Sequence, residues 1–235
     1  KKPVQWSYGA QTALAEAEVE YKDKESPAIF VKFPLQAKAP GFPPASIVIW
    51  TTTPWTLPAN LGLAVHPEFT YVVGRFTKDG KEEMLVLVRE LIADFETKTG
   101  YALTESLCEF KGRQLEGMEA QHPFLPRTSK VILANFVTTD TGTGIVHIAP
   151  GHGADDYVAG QQNGLAVLSP VDDEGNFTAE VGLDELVGKH VFKSNERIIE
   201  ILAESGHLLG QEVYKHSYPH CWRSKTPIIF RAVEQ

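Results

Sequence analysis

Apolar and polar residues alternate with period two along much of this chain, the pattern of half-buried strands. From Leu14 to Tyr21 small or apolar positions alternate strictly with acidic ones, and Ala28 to Phe33 alternates as well. Both segments are expected as strands, with Pro34, Pro40, Pro43 and Pro44 marking a linker or edge loop after them. The β-branched run Ser46-Ile47-Val48-Ile49 predicts another strand, and others follow near Leu61–Val65, Tyr71–Phe76 and Met84–Val88. Between the last two, Thr77-Lys78-Asp79-Gly80 predicts a hairpin, because Asp-Gly supplies the positive φ such a turn needs. Strand signals return at Ser106–Phe110, Val131–Val137, Gly144–Ile148, Leu208–Tyr214 and Pro227–Val233.

Helical spacing is confined to three places. Arg89 to Lys98 sets Leu91, Ile92 and Phe95 on one face, with Gly100 as the expected stop. Ala154 to Gln162 carries Asp155 and Asp156 in its first turn, beside the positive end of the helix. Ser194 is expected to cap a third helix with Ile198, Ile201 and Leu202 on one face and Gly206 at its end. Many short strands with so few helices predict a β-rich fold of mixed α and β character. Its form is expected to be a closed or nearly closed β-barrel-like domain with a few flanking helices and extended β segments at both ends. A plain doubly wound βαβ sheet is excluded.

Composition adds limits. At 43% apolar and 22% charged, the 235 residues can bury a substantial core. No apolar run approaches the roughly 20 residues of a membrane span, and no signal peptide opens the chain, so no membrane partner is expected. Cys108 and Cys221 are the only cysteines, which points to a reducing, cytoplasmic setting. A net charge of −8 argues against a charge-driven binder of duplex nucleic acid, yet admits a pocket for the end of a strand. Lys1 to Trp6 and Pro227 to Val233 both read as mid-domain sequence, as expected of a piece of a longer protein.

Two dense stretches carry candidate chemistry. Trp50-Thr51-Thr52-Thr53-Pro54-Trp55-Thr56-Leu57-Pro58-Ala59-Asn60 predicts a strand end running into a stiff, irregular loop that presents several hydroxyls together. Thr141 to Tyr157 takes a strand bearing His147 through Pro150-Gly151-His152-Gly153 into the helix that begins with Asp155 and Asp156. Taken singly, His147 is a hydrogen-bonded core histidine and the aspartates serve the helix dipole. A zinc site from His147, His152 and one aspartate has suitable ligands, but this spacing is not a ligand rhythm. A covalent hydrolase would need a nucleophile elbow, and no G-x-S-x-G occurs. Gly142-x-Gly144 precedes a strand and so makes no phosphate cradle. Joined, the two stretches offer hydroxyls to hold a water and stabilise an oxyanion, a carboxylate for an ammonium group, and a histidine as a wall. That set suits an ester whose acyl part carries a free α-amino group, such as an aminoacylated RNA end.

On these residues a resemblance can be stated. W-T-T-T-P-W-T-L-P-A-N (Trp50–Asn60) and G-T-G-I-V-H-I-A-P-G-H-G-A-D-D-Y (Gly142–Tyr157) resemble the editing domain of isoleucyl-tRNA synthetase, a class I aminoacyl-tRNA synthetase. That domain is the insertion called connective polypeptide 1. A-L-A-E-A-E-V-E-Y (Ala13–Tyr21) and H-S-Y-P-H-C-W-R-S-K-T-P-I-I-F-R (His216–Arg231) extend the likeness over nearly the whole chain. Valyl and leucyl relatives carry T-T-R-P, where this chain has Thr53 in place of the arginine. Relatives also carry a W-C-x-x-C pair near the start, where this chain reads Trp6-Ser7-Tyr8-Gly9-Ala10, so no metal is expected.

The resemblance implies a single editing domain over 1–235, with a core at about 46–206. Residues 1–45 and 207–235 would then connect it to the synthetase's catalytic domain. It implies hydrolysis of valine misattached to isoleucine tRNA, with water attacking the ester. Thr51, Thr52, Thr53, Thr56, His147 and Asp156 are the implied catalytic residues, and Trp50, Asn60, His147 and Asp156 the implied substrate contacts. Asp156 would hold the α-ammonium and His147 would exclude isoleucine, while Asp155 and His152 would be structural. No cofactor is implied for editing, since ATP and magnesium serve the parent enzyme elsewhere. The implied partners are the aminoacylated 3′ end of the tRNA and the catalytic domain, the chain itself being monomeric. A non-catalytic tRNA-end binding module and a valyl-type domain clearing threonine are the alternatives.

Overall fold

The computed structural model describes residues 1–36 and 41–234; the expected loop residue Pro40 lies outside the described residues. In chain order the strands are β1 (Lys2–Ser7), β2 (Thr12–Ala13), β3 (Val19–Gln36), β4 (Ser46–Thr51), β5 (Gly62–Val65), β6 (Thr70–Lys78) and β7 (Lys81–Val88). After these come β8 (Ala102–Lys111), β9 (Glu119–Gln121), β10 (Thr128–Leu133), β11 (Ile145–Ile148), β12 (Leu208–Cys221) and β13 (Ile229–Val233). Three α-helices accompany them: α1 (Ile92–Thr99), α2 (Ala154–Gln162) and α3 (Val191–Glu204). The architecture is β-rich and mixed, with few helices, as the periodicity predicts.

The main sheet runs β11-β5-β10-β9-β3-β4-β7-β6-β8, with β12 laid along the first part of β3, and β13-β1-β2 forms a separate small sheet. This order has two ends, β11 and β8, and no closed ring of strands is found among the described residues. The sheet nevertheless curls. Thr143, just before β11, accepts the Val88 N–H at the end of β7 (2.9 Å), and its hydroxyl donates to the Val48 carbonyl of β4 (2.7 Å). That curl brings the two chemically dense stretches together.

β3 is the spine. Ile29, Val31 and Phe33 face the principal core with Ile47, Ile49, Leu63, Val65 and Val88, and α3 closes that core with Ile198 and Leu202. Phe30 faces the other way, against Val48, Phe76 and Phe95 of α1. Both faces of β3 are therefore covered from Ala28 to Phe33, so this stretch is nearly continuous in apolar residues and not the alternation expected of it. α2 covers a third cluster, Ala64, Ile132 and Ile148, with Ala159.

Several expectations are corrected. Glu16–Glu18 form a 3-10 turn, so the strand predicted from Leu14 begins only at Val19; alternation of small and acidic residues is shared by a turn and a strand end. Pro34 lies inside β3 rather than in a loop. It pairs with Ser46 between the last residue that β12 pairs (Val31) and the first that β9 pairs (Leu35), so its missing N–H faces a gap between two ladders. The third helix starts at Val191, capped by the His190 side chain accepting from Phe192 N–H, and Ser194 instead donates to the His190 carbonyl from within it. Among the described residues no helix is long and apolar enough to cross a membrane.

Candidate functional site

The threonine stretch is more ordered than its prolines suggest. β4 ends at Thr51, and Pro54–Ala59 form a 3-10 helix buried along its whole length. Pro54 occupies the first turn, where no N–H is required, and the bonds Thr56 N–H to Thr53 and Asn60 N–H to Leu57 span Pro58 without using it. Three side chains from elsewhere fix this helix. Asn195 of α3 accepts the Trp55 N–H (3.0 Å), His122 Nε2 donates to the Leu57 carbonyl (2.8 Å), and the Arg127 guanidinium donates to the Pro58 carbonyl.

With its frame fixed, the segment presents a connected row of hydroxyls. Thr51 Oγ1 and Thr53 Oγ1 lie 3.2 Å apart, and Thr53 Oγ1 and Thr56 Oγ1 3.3 Å. Thr56 donates its proton to the Thr53 carbonyl (2.9 Å), so toward His147 Nε2, 2.9 Å away, it can only accept. His147 Nδ1 lies 3.2 Å from Asn60 Nδ2, which also donates to the Gly62 carbonyl, while the Ser129 hydroxyl donates to Asn60 Oδ1. The network thus assigns one tautomer: His147 carries its proton on Nε2 and accepts at Nδ1. Burial, with His152 adding a smaller effect, holds its pKa down to about 4, so the ring is neutral at pH 7.

β11 brings His147 beside this row, and the approach to β11 requires glycine. Gly144 has φ +73, and a Cβ there would meet the Val88 side chain at 2.4 Å. Beyond β11 the chain enters α2 through Gly153, where a Cβ would come within 2.7 Å of Asp156 Oδ1. That absence of a side chain lets Asp156 fold back and accept the Ala149 N–H at 2.8 Å. Burial raises the Asp156 pKa to about 6, against the lowering effect of that bond. His152, between them, donates from Nδ1 to the Phe230 carbonyl (2.8 Å) and is also held to about 4 by burial.

Trp50, Thr51, Thr52, Thr53, Thr56, His147 and Asp156 line one cavity of about 360 Å³. Asn60 does not: it lies behind His147 and acts on the site only through that ring. Phe136, Thr138, Thr141, Thr143 and His152 also line the cavity, with backbone and apolar side chains from Gly142 to Ala149. Of these, Thr141, Thr143 and His152 lie in the dense stretch read from the sequence, whereas Phe136 and Thr138 stand before it and carry no motif. Among the described residues no cluster of His, Cys, Asp and Glu could hold a metal ion. Hydroxyls dominate the lining, together with a single acidic group and two neutral imidazoles. The direction of the Thr56–His147 bond also matters: an imidazole that donates to a hydroxyl cannot remove its proton, so this pair is not a nucleophile with its base.

Comparison with known proteins fits this geometry. No protein-family model matches the chain. It is 50% identical to the isoleucine–tRNA ligase of Persephonella marina, with all of this chain and 24% of that protein aligned. It is 52% identical to that of Sulfurihydrogenibium sp. (100% and 24%) and 51% identical to that of Thermotoga maritima (100% and 25%). The chain is homologous to a segment of isoleucine–tRNA ligases. It spans about a quarter of the length of the curated relatives it matches. Among solved structures it is similar to GlLeuRS-CP1, with TM-score 0.60, 15% identity and coverage of 79% of this chain and 99% of that one. It is also similar to the Plasmodium knowlesi cytosolic leucyl-tRNA synthetase editing domain, with TM-score 0.59, 12% identity and coverage of 86% and 99%. At those identities the likeness is one of fold: this chain folds as those two domains do.

Proposed function

We propose that this ligase segment is a proofreading hydrolase that removes valine from mischarged isoleucine tRNA. The observation that carries the reading is the cavity itself, where an uncharged row of hydroxyls and a buried carboxylate share about 360 Å³. Such a volume lies at the small end of ligand sites and suits an aminoacyl group with part of a ribose. Asp156 accepts the α-ammonium by a charge-assisted bond. Thr51, Thr52 and Thr53 orient a water toward the ester carbonyl and receive the developing oxyanion, while Thr56, its own proton held by the Thr53 carbonyl, steadies the row and His147, with Trp50 at the rim. No strong base is required, because an activated ester held beside an oriented water gains most from preorganisation. His147, neutral and fixed by Asn60, bounds the acyl pocket and excludes the larger side chain.

The need for such a site follows from binding. A pocket for isoleucine gains only ~1–3 kcal/mol over valine from one methylene, the standard example of discrimination that demands a second site. In this reading the curled sheet serves as a nearly closed barrel, the partners are the aminoacylated tRNA end and the ligase's catalytic body, no cofactor takes part, and the setting is cytoplasmic. The test is deacylation by this chain of valyl- and isoleucyl-tRNA of the isoleucine acceptor. Valine is expected to be released and isoleucine spared; equal loss from both, or from neither, defeats the proposal.

A further inference from the structure

A second cleft, of about 200 Å³, adjoins the first and has Thr52 and Thr53 in common with it, so these two residues form the wall between them. Lys24 of β3 borders this cleft, its Nζ lying 4.0 Å from the centre of the Phe192 ring and 4.4 Å from that of Tyr218. Half-buried between two rings, the ammonium has no carboxylate partner among the described residues, and burial alone lowers its pKa. Glu25 also borders the cleft, but as the next residue on the strand it projects to the opposite face.

Other donors converge here without acceptors. Asn195 uses Oδ1 for the Trp55 backbone N–H, which leaves its Nδ2 protons free. The Thr52 hydroxyl has no partner among the described residues either. An ammonium and several neutral donors around a small cleft make an anion site, in a chain whose net charge of −8 otherwise repels anions.

We propose that this cleft binds the phosphodiester on the 5′ side of the terminal nucleotide whose aminoacyl ester occupies the neighbouring cavity, with Lys24 as the principal contact. The inference rests on the proofreading reading and deepens it. In an aminoacylated nucleotide the ester and the 5′ phosphate leave opposite sides of one ribose. Here the hydroxyl cavity and the Lys24 cleft lie on opposite sides of Thr52 and Thr53, so a ribose seated over these threonines delivers each group to its own cleft. Lys24 then registers the RNA end without touching the reacting atoms.

The test is calorimetric titration of this chain with 3′-valylamino-3′-deoxyadenosine, whose amide link resists hydrolysis, and with its 5′-monophosphate. The phosphate is expected to tighten binding to the wild type roughly tenfold or more, the contribution of one charge-assisted hydrogen bond. Lys24→Gln is expected to abolish that gain while binding the unphosphorylated compound within twofold of wild type, and Lys24→Arg to retain it. A wild type that ignores the phosphate, or a gain that survives in Lys24→Gln, overturns the phosphate site and leaves the proofreading reading standing. Loss of both compounds by Lys24→Gln overturns it too, since Lys24 would then be holding the fold of the wall. Failure of both compounds to bind the wild type sinks the proofreading reading, and this inference with it.

Discussion

Asn60 Nδ2 donates to His147 Nδ1 across 3.2 Å, and that contact decides which nitrogen of the imidazole carries the proton. The Ser129 hydroxyl fixes the amide from the other side, so the direction runs from Ser129 through Asn60 and His147 to Thr56. Asn60→Asp replaces the donor with a carboxylate that accepts from Nδ1 and favours the charged ring. The His147 pKa, about 4 in the wild type, is then expected to rise by two units or more, and deacylation to fall at least tenfold. NMR titration of the ring checks this; an unmoved pKa would refute the tautomer lock.

His147→Ala should widen the acyl pocket by the volume of an imidazole. Isoleucyl-tRNA is expected to become a substrate, hydrolysed within about tenfold of the valyl-tRNA rate, since the added methylene of isoleucine brings only ~1–3 kcal/mol. A variant that still spares isoleucyl-tRNA would show that another residue does the excluding.

Asp156→Ala is expected to abolish valyl-tRNA hydrolysis with the fold intact, as judged by circular dichroism. Stability and function oppose each other at this carboxyl. Its folded pKa of about 6 lies above the ordinary carboxyl value of 3.8, so its contribution is full only below about pH 4 and is lost as pH rises through 6. Ionised at neutral pH, it destabilises the fold by up to about 3 kcal/mol. Asp156→Asn should therefore unfold later than wild type in urea at pH 7.5, with the difference vanishing near pH 4. An equal or lower midpoint at pH 7.5 would contradict the assignment.

Three buried histidines make the fold acid-sensitive in the opposite sense. His122, His147 and His152 have folded pKa values of about 3, 4 and 4, below the ordinary 6.5, with burial as the leading cause in each. Their stabilisation is complete above pH 6.5 and is lost as pH falls toward 4, outweighing the single aspartate. Thermal midpoints are expected to drop steadily from pH 7 to 4.5, and less steeply in His122→Gln. A flat profile would mean that these rings are solvated.

Most of the strands and all three helices were legible because apolar periodicity is set by burial, which the sequence records directly. Thr51, Thr53, Thr56, His147 and Asp156 were legible because their types and order match one chemistry. Asn60 was placed in the pocket by proximity in sequence; only the register of β5 against β11, which sets His147 opposite Leu63, shows that it stands behind the ring. Asn195, His122 and Ser129 gave no signal at all. Each reaches the site from more than sixty positions away, and a single polar residue in a helix, loop or strand does not announce what it will meet.

The two prolines of β3 have a consequence for its alignment. Pro27 pairs with Val213 before β4 joins at Ile29, and Pro34 pairs with Ser46 after β12 has left at Val31 and before β9 joins at Leu35. Each sits where only one neighbour needs a ladder. Sliding β3 against its neighbours would carry a residue lacking N–H into a doubly paired position, and a slip of one would turn every side chain over. The prolines therefore act as register pins. By holding Thr51 opposite Ile29, they keep the hydroxyl row in phase with the pocket it serves.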